Sequence, residues 1–560
     1  MRRISTCPHQ NRGDFATEPR GRRDLREAVS IPRVSRGKPV LFRHTRPSSV
    51  AGVLARITTF CIVGLESRPV AVEVDVRAGL PAFVIVGLGD LAVREARERV
   101  RGALLNSGFE FPQRRIVVNL APAHLRKNGS GFDLPIACAV LAASGQVPAA
   151  SVARRAIYGE LSLAGEVRGC RGTLAVAEAA RRAGLDGLVV ARDRAPEASL
   201  AGDLEIVGVD TLAELGRILD GAEAVPPLPD PRAPERPARP APDLADVRGQ
   251  WAAIRAVEVA AAGGHNLLLR GAPGTGKTML ARRIPGILPP LERDAAIEVT
   301  RIHSVAGAET AGGLVDERPF RAPHHTISPS GLVGGGALPA PGEATLAHHG
   351  VLFLDELSEF NRNALDALRQ PLEDGHVTII RGQRAARFPT RFMLVAATNP
   401  CPCGHAADPK RCRCTESDHA RHRRRLSGPL LDRIDVVVDV ERPTAAALAA
   451  PPSTDTATVR AAVLAARARQ AARLTAAGVT CNAHMDAALV RRLVRLEPGA
   501  REQLAHSYDE GAISARAHDR VLRVAQTIAD LAGRDEVGAG DVVEALNFRG
   551  EPVTPVREAA

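Results

Sequence analysis

The sequence predicts an α/β protein, and three observations carry the prediction. Residues 54–220 alternate short Val/Ile/Leu runs with stretches of helical periodicity. A second region opens with the apolar run Leu267-Leu268-Leu269, followed by a glycine-rich turn and the start of a helix. A third apolar run, Val351-Leu352-Phe353-Leu354, ends in two adjacent acids, Asp355 and Glu356.

At 560 residues the chain is too long for one core, and about three or four domains are expected. Hydrophobic residues make up 45% but aromatics only 3%, so the cores must be built from Ala, Val, Leu and Ile. The only lysines are Lys38, Lys127, Lys277 and Lys410; arginine is the default cation, which makes each lysine more telling. A net charge of +11 favours nucleic acid or another polyanion as partner, with a solvated basic surface as the alternative. No apolar run reaches the ~18–20 residues of a membrane span, and no signal peptide is visible. Nine cysteines are too few for a disulfide scaffold, so a cytoplasmic, reducing location is expected.

Residues 1–52 are rich in Arg, Pro and Ser without periodicity and read as a disordered extension; an alternative is that translation starts further downstream. An α/β domain follows over 53–221. Its expected strands lie at 70–76, 83–86, 115–120, 188–191 and 204–209, its helices at 93–107 and 134–143. The first helix places Val93, Ala96, Val100, Ala103 and Leu104 on one face. Residues 222–242 carry repeated prolines and form an extended linker. A second α/β domain spans 243–442, a mostly helical domain 443–550, and a disordered tail 551–560.

Gly271-Ala-Pro273-Gly274-Thr275-Gly276-Lys277-Thr278 has the G-x-x-x-x-G-K-T pattern, between a strand and a helix expected over 279–284. The glycines let backbone amides converge on phosphate oxygens, and the helix N-terminus at Met279 adds positive potential. Lys277 is suited to the β- and γ-phosphates of ATP, and Thr278 to Mg²⁺. Asp355 completes the Mg²⁺ site through its water shell, and Glu356 orients or deprotonates the attacking water. A third strand, 392–397, ends in Thr398-Asn399; a polar residue at this place senses the γ-phosphate in ring ATPases, which Asn399 suits, with a turn residue before Pro400 as the alternative. Arg433, in Leu430-Leu431-Asp432-Arg433-Ile434-Asp435, is a candidate arginine finger for a neighbouring subunit. Arg516, on a helix capped by Ser514, is a candidate to reach back to the γ-phosphate, with Arg520 one turn along as competitor.

Cys401, Cys403, Cys412 and Cys414 form C-x-C-x8-C-x-C, which suggests a tetrahedral thiolate site for structural zinc. His405 is a spare ligand, and unligated thiols are the alternative. Cys7, Cys61, Cys138, Cys170 and Cys481 read as packing or surface residues.

Taken together, these residues resemble the magnesium-chelatase-like AAA+ ATPases, and within them the YifB/ComM family. The resemblance covers about 54–550. It is carried by Ala260-Ala-Ala-Gly-Gly-His265-Asn-Leu-Leu-Leu269, Arg318-Pro-Phe-Arg-Ala-Pro-His324-His325-Thr-Ile-Ser328, residues 350–360, Arg369-Gln-Pro-Leu-Glu373, Asn399-Pro-Cys-Pro-Cys-Gly404 and Ser427-Gly-Pro-Leu-Leu-Asp-Arg433-Ile-Asp435. It implies an AAA+ P-loop α/β core, a C-terminal helical lid, a homo-hexameric ring with ATP between subunits, and DNA as substrate. It further implies branch migration or helicase action on branched or single-stranded DNA in recombination or natural transformation, alongside recombination proteins. The segment 377–380 with Arg381, Arg384 and Arg387 resembles a β-hairpin that in such rings lines the channel, where arginines would grip phosphates without reading sequence.

The N-terminal domain resembles the Lon-protease (S5-like) domain, whose chemistry uses a Ser–Lys dyad. Ser130 follows Lys127 closely, but Ala175 stands about where the catalytic lysine belongs, and no lysine occurs between Lys127 and Lys277. Proteolysis is therefore not expected. Two competing readings remain: a motor subunit of a magnesium chelatase, and a regulatory or chaperone ATPase for protein partners.

Overall fold

The computed structural model describes residues 54–228, 242–308, 313–336, 339–381, 384–406, 410–425, 428–511 and 513–549. The extension 1–52 with Cys7, the domain start at Val53, linker residues 229–241, Ser427 and the tail 551–560 lie outside the described residues.

The N-terminal sheet grows from alternating valines. Val70, Val72, Val74 and Val76 turn one face of the Glu66–Arg77 strand inward. That strand pairs antiparallel with Leu54–Val63 on one side and Arg115–Ala121 on the other. Ala82–Val86 adds in parallel beside Arg115–Ala121. Arg155–Ile157, Gly187–Ala191 and Glu205–Val209 continue the sheet in parallel from Leu54–Val63, giving seven strands. The Leu91–Asn106 helix buries Val93, Ala96, Val100, Ala103 and Leu104, the predicted face. Asp90 caps it, accepting from the Val93 amide at 3.0 Å. The Asp133–Ala143 helix is buried on every side, which is why its sequence shows an apolar run without an amphipathic period. The helices Thr173–Arg182 and Leu212–Leu219 and the strand Arg155–Ile157 add to the elements expected from sequence.

The second sheet is fully parallel. Its strand order is Phe320–Arg321, Val351–Leu354, Met393–Thr398, Leu267–Arg270, Val436–Asp439. Arg270 stands opposite both Thr398 and Asp439, and Leu354 opposite Ala396. This register brings the C-terminal ends of three strands to one level, where Gly271, Asp355 and Asn399 emerge. Ligands of open α/β sheets bind at such an edge.

One correction concerns the helix after the phosphate loop. It runs only over Lys277–Ala281, and a separate short turn covers Ile284–Ile287. Pro285 has no amide to donate, so it sits in the first turn of the new helix and does not extend the old one.

Residues 456–547 supply the helices Thr456–Leu474, Ala487–Leu493, Pro498–Asp509, Ala515–Leu531 and Ala539–Asn547. Asp455, Asp486 and Ser514 are N-caps, each accepting an amide hydrogen bond; Ser514 is the cap predicted. Val463, Val521, Leu522 and Ile528 join the Trp251–Gly263 helix in one apolar core, each such burial contributing roughly 1.5–3 kcal/mol.

The helix Arg293–Ala306 ties the second sheet's region to the first. The Gly172 amide donates to the Ser304 carbonyl at 3.1 Å, and Arg301 pairs with Glu178 at 3.2 Å. The buried Glu197 carboxylate accepts from the Leu174 amide and the Ser304 hydroxyl. No helix among the described residues is long and apolar enough to cross a membrane.

Candidate functional site

The phosphate loop is shaped by two left-handed glycines, Gly274 at φ 77° and Gly276 at φ 95°, a conformation that β-carbon-bearing residues rarely adopt. Beneath it, the buried Gln250 amide donates to the Thr275 carbonyl at 3.2 Å and to the Glu441 carbonyl. The Thr275 hydroxyl closes the turn onto the Ala272 carbonyl at 3.0 Å. Pro273 and Gly274 are exposed on the loop's outer face, and the Met279 side chain packs against the core.

Lys277 curls over the loop. Its Nζ donates to the Gly271 and Ala272 carbonyls at 2.7 and 2.9 Å and to Asn399 Oδ1 at 3.2 Å. Burial pulls this ammonium below the usual lysine range, opposed by the charges of Asp355 and Glu356. The Thr278 hydroxyl donates to Asp355 Oδ2 at 2.7 Å. Asp355 Oδ1 in turn accepts from the Glu356 amide at 3.0 Å. Glu356 adopts φ 53°, a left-handed conformation that costs a non-glycine residue roughly 1–3 kcal/mol. Its carboxylate is over half exposed and lies 3.6 Å from His325 Nδ1.

The acids, Thr278, Arg282 and the His324–His325 pair line one cleft of about 300 Å³. The two imidazoles lie with centroids 4.1 Å apart and their planes tilted by 34°. His325 and Gln250 were not among the site residues expected from sequence. His325 stands inside one of the stretches that carry the family resemblance, so a signal for it existed; Gln250 gives none.

Arg433 and Arg516 occupy a different neighbourhood. The Arg433 guanidinium is paired with Glu373. Burial lowers its pKa, assisted by the positive charges of Arg369 and Arg516. The groups whose charges act on Lys277 are Asp355 and Glu356. Arg516 is exposed on the first turn of Ala515–Leu531. Arg520 is half-buried, its pKa lowered by burial and opposed by Asp435.

His265 and Asn266 hold the far end of this arrangement. His265 Nε2 meets the Thr527 hydroxyl at 2.8 Å. The Asn266 amide donates to the Arg433 carbonyl at 2.8 Å and accepts from the Leu394 amide at 2.9 Å.

The four cysteines Cys401, Cys403, Cys412 and Cys414 converge, their sulfurs all within 4.8 Å of one another. The histidine beside them is His419, whose Nε2 lies 3.6 Å from Cys412 Sγ. The helix Glu416–Arg425 carries it to the cluster. Cys481 is buried, as a packing residue would be, with its sulfur 3.3 Å from His484 Nδ1.

The hairpin expected near 377–387 is present, with His376–Arg381 antiparallel to Arg384–Pro389. Arg381 and Ile380 are exposed, and Arg387 contacts His376 Nδ1 at 3.1 Å; the Arg384 side chain lies outside the described residues. In the N-terminal domain Ser130 and Lys127 take separate partners. The Ser130 hydroxyl donates to Glu160, and the buried Lys127 ammonium to the Pro122 carbonyl. Ala175 is buried within Thr173–Arg182.

Three family profiles match the chain: magnesium chelatase subunit ChlI over 243–448, subunit ChlI of Mg-chelatase over 72–194, and the ChlI C-terminal region over 453–549. Among curated relatives, an uncharacterised protein of Mycobacterium tuberculosis is 44% identical over 500 residues, covering 89% of this chain and 98% of its own. YifB of Escherichia coli is 42% identical over 499 residues, covering 89% and 97%. The competence protein ComM of Haemophilus influenzae is 41% identical over 501 residues, with the same coverage. The chain belongs to the YifB/ComM family. Its YifB/ComM membership places the phosphate loop, the acid pair and Asn399 inside a magnesium-chelatase-like AAA+ domain.

Proposed function

We propose that this YifB/ComM protein is an ATP-hydrolysing AAA+ motor that assembles as a homo-hexameric ring and acts on branched or single-stranded DNA without sequence preference. The observation that carries the reading is the meeting of Lys277, Thr278, Asp355 and Asn399 at one sheet edge. A hydroxyl and a carboxylate 2.7 Å apart, with a second acid next in sequence, are the oxygen donors that Mg²⁺ favours. Thr278 and Asp355 would hold that ion, which when bound neutralises charge on the β- and γ-phosphates.

The chain's own groups divide the rest of the work. Amides of 274–278 and the Lys277 ammonium bind the phosphates. Glu356 accepts a proton from the attacking water as its oxygen bonds to the γ-phosphorus and the bond to the bridging oxygen breaks, releasing ADP and phosphate. Asn399 orients that water. Arg433 stabilises the transferring charge at the neighbouring subunit's site, and Arg516 reaches back to the γ-phosphate from the helical lid.

DNA as substrate is supported by the net charge of +11 and the exposed hairpin with Arg381. The name of the competence protein ComM supports a role in transformation or recombination, with recombination proteins as partners, in the cytoplasm. On this reading the domain 53–221 is a Lon-like module without proteolytic chemistry, and 443–550 is the helical lid of the core 243–442. The family description as magnesium chelatase favours a second reading, a motor that drives a metal chelatase. ATPase rates of the chain with and without forked DNA test the choice: several-fold stimulation by DNA is expected. No stimulation by any DNA would overturn the DNA reading, and loss of hydrolysis in neither Lys277→Ala nor Glu356→Gln would overturn the site.

A further inference from the structure

We propose that Cys401, Cys403, Cys412 and Cys414 hold a tetrahedral zinc ion, and that this ion clamps the segment after Asn399 onto the phosphate loop. The spacing of the sulfurs is the first argument. A zinc ion bound at about 2.3 Å by four thiolates sets its sulfurs about 3.8 Å apart along each tetrahedron edge. Here Cys401 and Cys403 are separated by 3.4 Å, Cys403 and Cys412 by 3.7 Å, and Cys401 and Cys412 by 4.0 Å. Those values bracket the tetrahedral edge and exceed the roughly 2.0 Å of a disulfide.

The backbone supplies the second argument. Amides of Arg413 and His405 point at the Cys403 sulfur, that of Cys414 at the Cys412 sulfur, and that of Cys403 at the Cys414 sulfur. Two C-x-C turns thus present amide donors to sulfur, the outer hydrogen bonds that orient metal thiolates. Four protein ligands leave no position for a substrate, so the site is structural.

What it braces is the third argument. Cys401 is fully buried two residues after Asn399. The turn that follows is closed by the Gly404 amide on the Cys401 carbonyl at 2.9 Å. Gly404 lies so tightly on Pro273 of the phosphate loop that a β-carbon there would stand 2.3 Å from the proline ring. On the other side of the cluster, His422 Nε2 meets the Asn399 carbonyl at 2.8 Å. Residues flanking the cluster therefore touch both the polar residue beside Lys277 and the loop around the phosphates. The clamp half of this proposal rests on the nucleotide reading above; the metal half does not.

The test uses the full chain purified without chelator. Elemental analysis is expected to give about one zinc per chain, and cobalt added to the demetallated protein should give the visible and near-ultraviolet bands of tetrahedral thiolate coordination. The double variant Cys412→Ser/Cys414→Ser should lose both signals. Stripping the metal from the native protein with a mercurial, then measuring a fluorescent ATP analogue, should weaken nucleotide binding on the order of tenfold. Gly404→Ala should keep the metal and weaken the nucleotide, which separates the clamp from a folding failure of the cysteine variant. Absence of both co-purified metal and the cobalt bands overturns the metal site. Metal present, with nucleotide binding unchanged by stripping and by Gly404→Ala, overturns the clamp. Failure of the native protein to bind nucleotide overturns the clamp through the nucleotide reading, while the metal count still decides the site.

Discussion

The side-chain amide of Asn266 donates to the backbone carbonyl of Arg433 at 2.8 Å. Its other end accepts from the Leu394 amide, so one residue links a sheet strand to the turn that presents the arginine. Asn266→Ala leaves both backbone groups without their partner. It is expected to cost about 1–3 kcal/mol of stability and to lower ATP turnover more than ATP affinity, as read by urea unfolding and by separate binding and rate measurements.

The acid pair gives a sharper division. Glu356→Gln preserves size and hydrogen bonding but removes the proton acceptor, and should slow hydrolysis by on the order of 10²–10⁴-fold with ATP still bound. Lys277→Ala should remove nucleotide binding itself. Equilibrium binding of a fluorescent ATP analogue, beside phosphate-release rates, separates the two effects.

The positive charge of Arg516 acts on Arg433, whereas Asp355 and Glu356 act on Lys277. If Arg433 serves a neighbour, Arg433→Ala should lower turnover by roughly 10³-fold or more with ATP affinity retained. Mixing Arg433→Ala chains with Lys277→Ala chains should then restore part of the activity, because each mixed interface can pair an intact loop with an intact arginine. Equal inactivity of the mixture and of its components would place the arginine's action within its own chain.

The buried pair Cys481–His484 sets a pH dependence. Burial opposes the thiolate, but His484 and Arg467 outweigh it and bring Cys481 from 9.0 down to about 5; Cys481 in turn raises His484 above 6.5, against burial. The thiol's contribution to stability is complete above about 9 and is lost as pH falls through about 5. The imidazole's contribution is complete below 6.5 and is lost as pH rises through its raised value. Below 6.5 the imidazole's contribution is already complete, so there the stability margin of the native protein over Cys481→Ser should follow the thiol alone. It should shrink as pH falls from 6.5 toward 5. Urea midpoints of both proteins across that range check the shape.

Local chemistry was legible in the sequence, and long-range placement was not. The phosphate loop could be read because its glycines, lysine and threonine act within eight consecutive residues. The helix face from Val93 to Leu104 was read from its period alone. The break after Ala281 was missed because apolar periodicity continues through Pro285 while its ring changes the backbone. His419 was hidden because it reaches Cys412 only after a helix turns back. Cys481 and His484 are three apart in sequence, yet their pairing depends on burial against Arg467 and His265, which no local pattern announces. The charge of Arg516 acts on Arg433 from a helix much later in the chain, beyond the reach of any local pattern.

The arginine-bearing hairpin does not stand free of the N-terminal domain. Leu65, at the turn between the first two strands, packs into the small cluster of Val377, Ile379, Ala386 and Phe388. A pull applied at the hairpin tip would therefore be shared with a sheet anchored far from the phosphates. Trimming Leu65 would soften that strut, so on the motor reading proposed above the seating of the hairpin depends on a leucine outside residues 243–448.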